Sequence, residues 1–173
     1  MITTIIRKEL SVLFNSPLAW ILLALIQFVL VWAFLGRLDA FLELQPQLLQ
    51  IANPPGITEI IIVPVFAMAA ILLLMITPIL SMRFLAEERR NHTLTLLISA
   101  PIAMTDIVMG KFLGLMIFFC VVIALIVALC LTLLMGGALD FGLLLSNTLG
   151  LFLVAASFSA LGLYISSLTA QPV

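Results

Sequence analysis

Charge is what this chain has least of. Of its 173 residues only 7 are Lys or Arg and 8 are Asp or Glu, 9% in all, while 65% are hydrophobic. A soluble domain carries roughly 25% charged residues, so no water-facing surface can be made from this composition. With a mean hydropathy of +1.39, the chain reads as an integral membrane protein. Alternation of period two is missing as well: the apolar runs are long and continuous, which favours helices over a β-barrel. The few basic residues lie beside apolar runs, so nucleic acid is not an expected partner. Cysteine is scarce too. Cys120 and Cys130 fall in one apolar run, roughly 15 Å apart on a helix, beyond the reach of a disulfide. They read as small packing residues, and no metal-ligand or redox spacing is present.

What is there divides cleanly along the chain. Residues 2–15 are too short and too polar to span a membrane. Ile2, Ile5, Ile6, Leu10, Leu13 and Phe14 gather on one helical face, and Thr4, Arg7, Lys8 and Ser11 on another. That pattern predicts an amphipathic helix in the membrane interface, with Arg7 and Lys8 towards anionic lipid head groups. It is not a cleavable leader, because its basic residues come late and no small-residue cleavage site follows. Pro17 then turns the chain into a first span over 18–35, with Trp20 and Trp32 placed as an aromatic belt would place them. Gln27 is its one mid-span polar residue, suited either to a helix–helix hydrogen bond or to a substrate path.

Residues 36–59 read as a loop with a short interfacial helix broken by Pro46 and stopped by Asn53-Pro54-Pro55-Gly56. Further spans are predicted over 60–82, where Pro64 and Pro78 can kink the helix, over 112–135, and over 143–165. The last is rich in small residues (Gly150, Ala155, Ala156, Ser157, Ser159, Ala160, Gly162), which let helix backbones approach closely. Of the loops so defined, one set holds Arg7, Lys8, Arg83, Arg89, Arg90 and Lys111, and the other only Arg37. The positive-inside rule therefore puts the amino terminus and the 83–111 segment in the cytoplasm.

That segment is the polar island of the chain. Arg83, Glu87 and Arg90 stand three or four residues apart, so they can pair along one helical face. Leu94, Leu97 and Ile98 are apolar, and Pro101 ends the helix. A solvated, topology-fixing loop is one reading. The other is a short helix over 84–99 whose mixed charged and apolar surface suits docking in the groove of a partner.

Here the residues carry a likeness. Arg7-Lys8-Glu9-Leu10 with Asn15-Ser16-Pro17, then Glu87-Glu88-Arg89-Arg90-Asn91-His92-Thr93-Leu94-Thr95-Leu96-Leu97, Ala100-Pro101-Ile102 and Val108-Met109-Gly110-Lys111-Phe112 resemble the permease subunit of type-2 ATP-binding-cassette exporters. The nearest kind is that of gliding-motility and copper-enzyme-maturation systems. The resemblance covers the whole chain. It implies an all-α integral membrane protein with one permease domain over 1–173, here an interfacial helix plus four transmembrane helices. Six spans are expected in the complete family fold, so two would follow Val173.

It further implies a coupling helix that seats in a cytosolic ATPase subunit, with Glu87, Glu88, Arg89, Arg90, Thr93, Leu94, Leu97 and Pro101 at the contact. A second permease copy or a paralogue would complete the transporter, in the inner membrane of a bacterium. His92 replaces the usual glycine and Thr95 the usual glutamate, so Thr95 offers the ATPase no carboxylate.

The mechanism so implied is mechanical: ATP-driven closure of paired ATPase subunits moves the coupling helices and opens a route between permease copies. The chain itself has no phosphate-binding loop, since Gly110-Lys111 lacks both the earlier glycine and the following Ser or Thr. No catalytic residue, metal or cofactor is expected on it, and ATP and Mg belong to the partner. An intramembrane enzyme or an ion-coupled carrier would need ionisable groups at membrane depth, and the four predicted spans contain no Asp, Glu, Lys, Arg or His. A passive channel, or a membrane anchor that docks a cytosolic partner, is the alternative.

Overall fold

Inside a bilayer each backbone N–H and C=O must be satisfied within its own segment, and this chain meets that demand with helices. The structure, a computed structural model, describes residues 2–48, 54–90, 104–135 and 139–168, with the backbone course alone for 82–90. Helix α1 covers Ile2–Asn15 and α2 Pro17–Leu48. A π-helical turn, Thr58–Ile62, leads into α3 (Val63–Arg90). Helix α4 (Met104–Leu131) runs on into a 3-10 turn, Thr132–Met135, and α5 covers Phe141–Leu168. Among the described residues, four stretches are long and apolar enough to cross a membrane: Pro17–Leu48, Thr58–Ser81, Thr105–Leu134 and Phe141–Ser166. The protein is an all-α membrane protein with a short amphipathic helix ahead of four spans. Because successive spans alternate in direction, α1 shares one end of the bundle with the far ends of α3 and α5. Thr58 and Asp140 lie at the other.

The largest departure from the expected course is α2. Its 32 residues rise roughly 48 Å, against about 30 Å of hydrocarbon. The segment from Gly36 to Leu48 is the continuation of the first span and not a loop. A methyl group at Gly36 would meet nothing within 4 Å, and the backbone there is helical, so glycine marks no turn. Leu38 and Phe41, three residues apart on one face, pack against the core, and that contact carries the helix onward. Pro46 does not break it; the described helix runs on to Leu48. At α3 the proline effect is visible. Pro64 cannot donate the bond an unbroken α-helix would draw from it, and the widened π turn Thr58–Ile62 ends just before the residue that precedes it.

The core lies where α2, α3, α4 and α5 meet, around Ile26, Leu30, Leu73, Phe118, Phe119, Val122 and Ile126, all almost wholly buried. The most extensive packing is between α3 and α5, followed by α1 against α4. Of the small residues on α5, Ala155, Ser159, Gly162 and Ser166 are the buried ones among those described, three and four residues apart, and Gly162 meets α3. A methyl group at Gly162 would overlap Ser81 Oγ and come 2.8 Å from Ser81 Cβ and 3.7 Å from the Pro78 backbone. Towards the Thr58–Asp140 end the same seam opens sideways into a groove of about 260 Å³, between Phe66, Ala67 and Ala70 on one helix and Asn147, Gly150 and Val154 on the other.

Candidate functional site

At the amino-terminal end of the bundle the sequence places its polar groups, and the fold brings several of them together. The faces of α1 fall as the spacing predicts. Ile5, Ile6, Leu10, Leu13 and Phe14 are turned inward, and Thr4, Arg7, Lys8 and Ser11 are exposed. The apolar face, however, is applied to α4 as well as to any lipid. Ile5 meets Gly110, where a methyl group would come 2.5 Å from Ile5 Cγ2. Glu9 meets Gly114, where one would come 3.0 Å from Glu9 Cβ. Further along, the Phe14 and Phe118 rings stand 6.2 Å apart. The contacts advance in step along both helices, so α1 lies alongside the first turns of α4 and runs in the same sense.

In the middle of this contact is a buried ion pair. Lys111 Nζ donates to Glu9 Oε1 at 3.2 Å, with the two side chains only 3% and 5% exposed. The elbow that follows is tied as well. Trp20 Nε1 donates to the carbonyl of Phe14 at 2.7 Å, and the two rings meet edge to face at 6.0 Å. Phe14 thus touches both α2 and α4, and Phe118 passes the contact to Phe119 at 5.8 Å. Phe14 links α1 to both neighbouring spans.

Residues 3–173 match the family described as ABC-2 family transporter protein. The chain belongs to this family. No curated protein and no solved structure matches it. Membership makes the chain an ABC-2 permease, the membrane subunit of a transporter, a class that is generally not itself catalytic and that implies an ATP-binding-cassette partner.

In this ABC-2 permease the residues expected at the ATPase contact fall almost entirely beyond what the structure describes. Thr93, Leu94, Leu97 and Pro101 lie outside the described residues. Of Glu87, Glu88, Arg89 and Arg90 only the backbone is given, as the uninterrupted end of α3. Of the expected membrane-interface residues, Arg7 and Lys8 are exposed on α1, and Trp20 is 57% and Trp32 74% exposed. The two tryptophans are about 18 Å apart along α2, which continues 16 residues beyond Trp32.

Glu9 is the residue that spacing arguments passed over, although a signal existed. It stands four residues from both Ile5 and Leu13, in the middle of the apolar face, and a carboxylate there needs a partner.

Several polar residues inside the spans are turned back onto their own helices. Thr77 donates to Leu73 O at 2.6 Å, Thr132 to Leu129 O at 2.6 Å, Asn147 to Leu143 O at 2.8 Å and Ser159 to Ala155 O at 2.6 Å. Local bonding of this kind satisfies a hydroxyl or amide in hydrocarbon without a partner helix. At the opposite end, Asp140 Oδ1 accepts from the N–H groups of Gly142 and Leu143 at 2.9 and 3.1 Å, capping α5. The Asp140 N–H itself donates to Thr58 Oγ1 at 2.9 Å.

Proposed function

We propose that this permease is the membrane subunit of an ATP-driven exporter of a bacterial inner membrane, with its amino terminus in the cytoplasm. Hydrolysis takes place on a separate ATP-binding-cassette subunit, which docks on the coupling-helix region over 84–99, from the last turns of α3 onward. Supporting this reading most directly is the family match combined with the topology of the bundle. The polar island leaves α3 at Arg90 and re-enters at Met104, beside the end where α1 is clamped to α4. Movement of the docked subunit would be transmitted to α3 directly and to α2 through α4, α1 and the Phe14–Trp20 elbow. A second permease copy or a paralogue would supply the other half of the route, and lipid would cover the remaining apolar surface. Substitution of both Arg89→Glu and Arg90→Glu tests the docking. The ATPase should be lost from the purified membrane complex while the variant still inserts at wild-type levels. Undiminished co-purification of the ATPase would contradict the assignment and favour a docking site elsewhere.

A further inference from the structure

A buried ion pair is a poor way to hold two helices together. Removing both charges from water costs about as much as their attraction returns, and an apolar pair of similar volume often serves as well or better. Here α1 also has apolar contacts with α4, Ile5 over Gly110 and the Phe14 ring against Phe118, while the Cβ of Glu9 itself sits over Gly114. That seat has a weakness. Its knobs on α1 (residues 5 and 9) and its glycines on α4 (110 and 114) are both four residues apart. A slip of α1 by four residues, about 6 Å along the axis, presents another side chain to each glycine. It also exchanges Phe118 for Gly114 or Val122, which stand one turn to either side. The apolar contacts therefore distinguish poorly between registers. The ion pair does not repeat. Any such slip carries the Glu9 carboxylate about 6 Å from its present position against Lys111.

We propose that Glu9 and Lys111 are positioning residues whose role is to fix the register of α1 on α4. A single buried polar contact sets register in other helix pairs in the same way. Because only Ser16 separates α1 from α2, register also fixes where the Phe14–Trp20 elbow holds α2. The inference rests on the transport reading only for what the register serves. Its test needs neither nucleotide nor partner, so its failure would leave that reading untouched.

Spin labels at Thr4→Cys and Val121→Cys, both exposed positions, are introduced with Cys120→Ser and Cys130→Ser. Thr4 lies near the level of Gly110, so Val121 stands about 16 Å further along the α4 axis, and a slip alters the measured separation nearly in full. With the native pair, pulsed dipolar spectroscopy should give one narrow distance distribution. The Glu9→Leu/Lys111→Met double variant should remain inserted and folded but show a second population displaced by up to about 6 Å. The swapped pair Glu9→Lys/Lys111→Glu should return a single population. A single unshifted distribution in the apolar double variant overturns the proposal. Should that variant fail to insert, Glu9→Gln/Lys111→Gln is read by the same measurement, and again one unshifted distance overturns it.

Discussion

The α1–α4 contact and the α3–α5 seam solve one problem by different means. Each brings two helices to backbone distance over glycine: Gly110 and Gly114 in the first, Gly162 in the second. Among the described residues, the polar groups that the α3–α5 seam adds include the neutral hydroxyls of Thr77, Ser81 and Ser159, each bonded to a carbonyl of its own helix. The α1–α4 contact adds a full ion pair between residues 102 positions apart in the chain. A seam between two long spans is defined along its whole length by many side chains. A 14-residue helix lying on a neighbour has few, and charge gives it a unique partner. Where the contact is short, specificity comes from electrostatics; where it is long, from shape.

The sharpest way to break the comparison is to remove one charge. Lys111→Met alone leaves the Glu9 carboxylate buried without its counter-ion and should destabilise by roughly 3–5 kcal/mol. Thermal unfolding in detergent reads this, and the Glu9→Leu/Lys111→Met double variant should recover most of the loss. A neutral seam should behave in the opposite manner, responding to volume alone. Gly162→Ala forces a methyl group onto Ser81 and should cost about 1–3 kcal/mol, relieved when Ser81→Gly is added. Gly110→Ala should cost about 1–3 kcal/mol, nearer the lower figure because the obstructing atom is the Ile5 side chain. Ile5→Ala should relieve it. Smallest is the far end of the bundle, where Asp140→Ala removes the cap of α5 for about 1 kcal/mol, while Asp140→Asn should be nearly neutral by the same melting measurement.

Much of this architecture could be read from residues alone, for a physical reason. A span announces itself by uninterrupted apolar length, and the faces of α1 by the spacing of Ile5, Ile6, Leu10, Leu13 and Phe14. What hydropathy cannot register is a helix that outlasts its apolar run. Arg37, Asp39 and Glu43 lower the hydropathy after Leu35, yet the backbone continues because Leu38 and Phe41 still have a core to touch. Long-range polar contacts were hidden for another reason. Nothing local links Glu9 to Lys111, or Thr58 to Asp140 across 82 positions; only the fold makes them neighbours. The residues proposed to meet the ATPase were legible by resemblance, and their geometry lies outside the described residues.

The central claim is that a nucleotide-driven subunit grips the segment between α3 and α4. The most direct test places a photo-cross-linking residue at Leu97 in the full chain, irradiates intact cells and identifies the adduct by mass spectrometry. The account predicts an adduct with a protein carrying a phosphate-binding loop, lost in the Arg89→Glu/Arg90→Glu background. An adduct with an outer-face protein, or none with any nucleotide-binding protein, would contradict it.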